Sequence, residues 1–213
     1  LATSGITFKL AEALFGAKNE VFTFPKGDKM TDSLKRNFLE LVAVSTIADM
    51  MQEKEDNELM ISEGLLSLES TFRPGFKAFI ELEETKNYLS TRELAQKMVS
   101  TLNIAEPKDH LNDAYLLLTS TSLDEAKDIV RTLLEKRQAR QARIREIVEE
   151  VEGIVLEGTQ NDFVFEVNAN WPIPLLGTIA SRILSYSQKP TFIVSKGEKK
   201  SRGSIRMPKG MNG

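Results

Sequence analysis

Apolar residues recur along this chain with two different periods, and the change of period divides it. From Ser122 to about Val151 the spacing is helical. Ala126, Ile129, Val130, Leu133 and Leu134 make one stripe, and Ile144, Ile147, Val148 and Val151 make another in nearly the same phase. Between them the same positions carry Arg137, Arg140 and Gln141. Ser122, with Glu125 three residues on, has the spacing of a capping box. The pattern predicts a helix over 122–151, roughly 45 Å long at 1.5 Å per residue. Apolar ends and a charged middle suit a strut whose ends are buried in two different bodies. One long surface helix on a single domain is the alternative.

Before the strut the period is helical throughout. Ile6 to Phe15 predicts a helix stopped by Gly16. Val21 to Phe24 is short and β-prone, and Pro25-Lys26-Gly27-Asp28 is a loop. Ser33 to Met51 predicts a second helix, apolar enough over LELVAVSTIADMM to be buried. Charged EKEDNE (Glu53 to Glu58) connects it to a third over Leu59 to Leu68. Arg73-Pro74-Gly75 opens a fourth, with Phe76, Phe79 and Ile80 facing inward, and Thr91 to Leu102 is a fifth. Lys108 to Asn112 reads as a loop, and Ala114 to Leu118 is apolar.

After the strut the order becomes strand (Phe163 to Val167), helix (Leu175 to Tyr186) and strand (Pro190 to Ser195). The polar loop KGEKKSRG then leads to a hairpin partner at Ser204-Ile205-Arg206-Met207. This order describes a small α/β body.

Composition adds exclusions. With 41% hydrophobic residues the 213-residue chain can bury real cores, and no cysteine is present. Disulfides and thiolate metal sites are therefore excluded, and a reducing cytoplasm is the default expectation. No apolar run approaches a membrane span, and no secretory signal pattern opens the sequence. Beginning at Leu1 in helical pattern and stopping just after a strand, the chain reads as cut from something longer. Charge is uneven. From Lys189 onward, seven basic residues face Glu198 alone, which puts +6 there and −9 on the remainder of a chain with net charge −3. Such an end suits a polyanionic partner, or a solvated tail.

Few residues offer chemistry. Asp49 follows the apolar run Leu41 to Ala48 and precedes two methionines. A carboxylate there is costly unless paired or bound to a metal, and it also sits near a helix C-terminus, where the dipole disfavours an anion. Otherwise it marks the point where the helix emerges into solvent. His110 is the single histidine, which excludes histidine metal clusters and a conventional catalytic triad. Gly203-Ser204-Ile205-Arg206, followed by Lys209-Gly210, combines close backbone approach with hydroxyl and guanidinium donors and suits phosphate; an ordinary basic hairpin would look the same. Trp171 reads as a core anchor. Lys136, Arg137, Arg140, Arg143 and Arg145 either line a cleft between bodies or form a solvated helix face.

In series these segments resemble RecJ, a family of single-stranded-DNA exonucleases in the DHH phosphoesterase superfamily. Ser4-Gly5-Ile6-Thr7-Phe8-Lys9-Leu10-Ala11-Glu12-Ala13-Leu14 resembles the family's G-x-x-F-K-L-A-x-A-L helix. Leu41 to Asp49 is similar to its L-D-L-V-A-L-G-T-V-A-D segment, and Gly64-Leu65 through Thr71 and Arg73-Pro74-Gly75-Phe76 to the segment that follows. Trp171, Gly177, Ala180-Ser181-Arg182, Lys189-Pro190 and Gly203-Ser204-x-Arg206 fall in the order of the DHH-associated domain. Three departures stand out: Ser45 replaces a usual Gly, Pro172 a common His, and Leu102-Asn103-Ile104-Ala105 lacks the arginine of N-A-A-G-R.

The resemblance implies an α/β fold. Residues 1–121 would be the helical C-terminal part of a DHH domain, 122–151 a connecting helix, and 152–213 a small mixed α/β DHH-associated domain that binds nucleic acid. It implies a 5′→3′ exonuclease acting on single-stranded DNA with Mn²⁺ or Mg²⁺, in the cytoplasm, without a membrane partner and with its oligomeric state open. Asp49 would be the last metal-binding aspartate, the D-x-D and D-H-H motifs lying upstream of the chain, which by itself is expected to be inactive. Gly203, Ser204, Arg206, Lys209 and Gly210 would bind the strand. A DHH relative cleaving short oligonucleotides or nucleotide phosphates, and a non-catalytic nucleic-acid-binding relative, are the alternatives.

Overall fold

A computed structural model describes residues 1–16, 28–83, 90–104, 112–157 and 161–211. The β-prone 21–24, most of the two expected loops at 25–28 and 108–112, and His110 lie outside the described residues. The elements run α1 (Thr3–Gly16), α2 (Asp28–Ala48), α3 (Asp56–Leu68), α4 (Pro74–Leu82), α5 (Thr91–Leu102), α6 (Asp113–Thr119), α7 (Leu123–Glu157), β1 (Val164–Asn168), α8 (Leu176–Ser187), β2 (Thr191–Ser195) and β3 (Arg202–Arg206). Contacts divide the chain into two units, Leu1–Arg137 and Gln138–Gly213. The fold is α/β: helices throughout the first unit, and a mixed three-stranded sheet in the second.

The expected strut is α7, whose start is capped by Ser122 Oγ accepting from the Glu125 N–H at 3.4 Å. Its first half belongs to the first unit, where Ala126, Val130 and Leu133 are fully buried against Leu68, Phe76, Phe79, Met98 and Leu117. Its second half belongs to the second unit, where Ile144, Ile147, Val148 and Val151 join Trp171, Ile179, Ile183 and Ile193. Its charged middle is used locally. Lys136 pairs with Asp113 (2.6 Å), Arg137 with Glu83 (2.8 Å) and Arg143 with Glu146 (3.0 Å).

In the first unit α2 and α3 lie backbone to backbone, because a Cβ at Gly64 would stand 2.2 Å from the Leu39 carbonyl oxygen. α1 lays Phe8 on the same pair, in a cluster with Leu39, Val42 and Met60. A polar group crosses the apolar packing. Glu40, 1% exposed, accepts Ser67 Oγ–H on Oε1 (2.9 Å) and Thr71 Oγ1–H on Oε2 (2.7 Å). Arg73, just ahead of α4, donates to the Leu118 carbonyl (3.0 Å) and to Asn37, and lies 5.9 Å over the Phe76 ring.

In the second unit β1 and β2 are parallel, Val164 opposite Thr191, with α8 as the crossover. β2 and β3 are antiparallel, Ile193 opposite Ser204. Thr191, Ile193 and Ser195 point to the buried face, against which α8 packs. Phe165, Val167 and Ile205 are exposed on the other face, where Phe192 touches Phe163 and Phe165 at ring separations of 6.2 and 6.1 Å. The continuous apolar run of β2 thus has a partner on each side. Trp171 is a core residue, its indole N–H donating to Glu150 at 3.3 Å. No helix among the described residues is long and apolar enough to cross a membrane.

Burial pushes the Glu40 carboxyl above the usual glutamate range, offset in part by the Thr71 and Ser67 hydroxyls and by Arg73. A folded-state pKa above the unfolded value means that this group's stabilising contribution is complete below about pH 4.3 and is lost as pH rises through the raised value. Urea unfolding of the wild type and Glu40→Gln from pH 4 to 8 should show the wild type losing stability relative to the variant as pH rises. Parallel curves would mean that Glu40 is ionised without penalty.

Candidate nucleic-acid interface

Asp49 sits where α2 ends. The helix stops at Ala48, and the turn is closed by Met51 N–H to the Thr46 carbonyl (3.3 Å) and Met50 N–H to that of Ile47 (3.1 Å). These two bonds form a Schellman motif, which requires a left-handed residue after the cap and normally uses glycine. Here Met50 takes that conformation, at φ 49°, and is 90% exposed. Asp49, the cap residue, is exposed. The burial expected from its position behind an apolar run does not occur. The phase that buries Val42 and Thr46 would carry Asp49 inward only if the helix continued.

Asp49 supplies one carboxylate. Among the described residues no group of three or more His, Cys, Asp or Glu converges to hold a metal ion. These described residues alone do not make a metal centre.

Ser204 and Arg206 alternate with Ile205 along β3, so both face the α8 side of the sheet. Arg206 Nε–H donates to Ser181 Oγ on α8 at 2.9 Å, and one Nη1–H donates to the Ile205 carbonyl at 3.0 Å. Ser181 in turn donates to the Gly177 carbonyl at 2.9 Å. A Cβ built on Gly177 would lie 3.3 Å from Arg206 Nη2 and 3.7 Å from Ser204 Oγ. Two donors from one strand thus converge beside a helix glycine.

The other expected strand-binding residues are placed differently. Gly203 faces away from this cluster. Its missing side chain admits β2, since a Cβ there would stand 2.9 Å from Val194 Cγ2 and 3.0 Å from the Ile193 carbonyl oxygen. Lys209 and Gly210 lie past β3, exposed, in a turn closed by Met211 N–H to the Pro208 carbonyl at 3.3 Å. Gly210 adopts φ 92° there. Lys196, Lys199, Lys200 and Arg202 are exposed on the β2–β3 connection and the start of β3, forming a diffuse positive border. Gly177 and Ser181 entered the sequence reading only as part of the family resemblance, with no binding role. Their i, i+4 spacing puts both on one helix face, but nothing local says that β3 meets that face.

No protein-family model matches the chain. All of it aligns with the single-stranded-DNA-specific exonuclease RecJ of Bacillus subtilis, at 27% identity over 226 residues. It also aligns throughout with RecJ of Salmonella typhimurium, at 25% identity. The chain is RecJ-like along its whole length. It spans 25% of the first of these relatives and 38% of the second. The fold agrees. A crystal structure of RecJ with Mg²⁺ from Thermus thermophilus superposes with a TM-score of 0.66 at 23% identity, covering 81% of this chain and 27% of that one. A structure of exonuclease RecJ bound to manganese gives 0.65 at 22% identity, covering 83% of this chain and 44% of that one.

Two substitutions test the α2 terminus in the RecJ-like chain. Asp49→Asn should shift the unfolding free energy by no more than about 0.5 kcal/mol, and toward stability if at all, because the dipole at a helix C-terminus weakly disfavours an exposed anion. A loss above about 1 kcal/mol in urea unfolding would assign Asp49 a structural partner instead. Met50→Gly should raise stability by roughly 1 kcal/mol, since glycine adopts the left-handed conformation without Cβ crowding; a thermal midpoint at or below the wild type would count against strain at that turn.

Proposed function

We propose that this chain is the strand-binding part of a metal-dependent 5′→3′ exonuclease acting on single-stranded DNA, with a role in DNA repair and recombination. The observation that carries the proposal is the convergence of Ser204 Oγ and Arg206 Nη2 on one side of the small sheet. A hydroxyl and a guanidinium edge can both donate to one anionic oxygen, and a phosphodiester oxygen suits both. Phosphate contacts position a strand without reading its sequence, which is what an exonuclease requires. Exposed lysines on the β2–β3 connection add attraction that falls off with salt. The RecJ likeness supports the substrate class and the divalent ion, Mn²⁺ or Mg²⁺; in this reading Asp49 is one of the carboxylates that would hold the ion. Action in the cytoplasm belongs to the same reading and accords with a cysteine-free sequence.

Anisotropy titrations of the 213-residue chain with fluorescein-labelled oligo-dT at several salt concentrations test this reading. Arg206→Ala should weaken binding about equally for oligo-dT and mixed-sequence strands. It should also reduce the slope of log K against log salt by about 0.7, the value for one phosphate on a single strand. Arg206→Lys should recover only part, because lysine lacks the planar fork. Unchanged affinity and slope in Arg206→Ala would leave β3 as an ordinary hairpin strand.

A further inference from the structure

We infer that Gly177 and Ser181 of α8 are the second half of the anion site. Ser181 is the positioning residue that aims Arg206, and Gly177 is the floor on which a phosphate oxygen rests. This rests on the reading of Ser204 and Arg206 as phosphate donors. It assigns roles to two residues outside that strand.

An exposed arginine normally samples many rotamers, and an anion that binds it must first order it. Here Nε is held by Ser181 Oγ and Nη1 by the Ile205 carbonyl, so the guanidinium plane is fixed at two of its three nitrogens. Ser181 can accept from Nε because its own proton goes to the Gly177 carbonyl. Three of the five guanidinium hydrogens remain, two on Nη2 and one on Nη1.

Two of the donor atoms lie beside the bare helix backbone of Gly177. The position that a Cβ of Gly177 would occupy is 3.3 Å from Arg206 Nη2 and 3.7 Å from Ser204 Oγ. No oxygen can occupy that position, which is one bond length from the Gly177 Cα, but an oxygen resting beside it in van der Waals contact with the bare Cα is still within reach of the guanidinium edge. A side chain at 177 would take up the volume that the oxygen needs. The ligand class is therefore a phosphate oxygen: one non-bridging oxygen on Nη2 and Ser204, approached over a bare helix backbone.

The test uses Gly177→Ala, Ser181→Ala, Ser181→Thr and Arg206→Ala in the whole chain. Binding of labelled dT₁₂ and of its uncharged methylphosphonate analogue is measured beside thermal unfolding, with inorganic phosphate as competitor. Gly177→Ala should weaken dT₁₂ binding about tenfold, the order expected for a lost hydrogen bond to a charged group. Its thermal midpoint should hold or rise, because alanine favours a helix over glycine. Ser181→Ala should weaken binding several-fold and lower the salt slope, whereas Ser181→Thr should restore most of both. In the Ser181→Ala background, Arg206→Ala should then cost less than it does alone.

The methylphosphonate strand should not respond to any of the four changes. Competition by millimolar inorganic phosphate that is lost in Gly177→Ala would place the recognition at a single phosphate group. Competition unaffected by that change would place the phosphate elsewhere and overturn the assignment of Gly177. If Arg206→Ala weakens binding and the α8 variants do not, this inference falls and the phosphate reading stands. If Arg206→Ala itself has no effect, both fall. A Gly177→Ala variant that loses affinity only together with thermal stability would make the glycine a packing residue and overturn its role here.

Discussion

Burial of the two apolar stripes of α7 is the interaction on which the rest depends. Val130 and Leu133 are fully buried in one core, and Ile147 and Val151 in the other. Each such side chain contributes on the order of 1.5–3 kcal/mol. In a folded protein most of the stability of a helix comes from packing its apolar face rather than from propensity. Here α7 persists because both ends are packed and because the charges between them have local partners. Arg137 is the clearest of these. It shares the stripe phase but leaves the apolar pattern, and it is held by Glu83 and by Thr101 Oγ1 at 2.9 Å.

The two carboxylates of α2 and its end show how position along one helix separates structure from chemistry. Glu40 lies in the interior, where two hydroxyls and a nearby guanidinium offset its desolvation. It links α2 to the end of α3 and to the segment that starts α4. Asp49 is nine residues on, past the helix stop, and open to solvent. A buried, hydrogen-bonded acid is a structural device. An exposed one beside a left-handed methionine has no such duty.

In the second unit the chemistry depends on pairing. Arg206 stands in an exposed strand, yet α8 fixes its guanidinium through Ser181. Gly203 and Gly177 both work by omission: a Cβ on the first would crowd β2, and a Cβ on the second would crowd Arg206 Nη2. The same β3 sequence on another sheet would lack the tether.

Much of this was legible along the chain. The period of 3.6 located α1 to α5 and α7, and the runs at 163–167 and 190–195 located β1 and β2, because local amphipathicity reflects which side of each element is wet. The short α6 showed only as an apolar run, too brief to carry a period. The two-core character of α7 followed from its charged middle. Helix ends were less legible: α2 begins at Asp28 and stops at Ala48, since a left-handed methionine carries no compositional signal. What tertiary structure alone decided are the meetings of distant residues: Glu40 with Thr71, Arg137 with Glu83, Arg206 with Ser181. Each is a hydrogen bond across 25 to 54 positions. Periodicity states which face of an element is buried, but not which other face buries it; that is set by how the cores close.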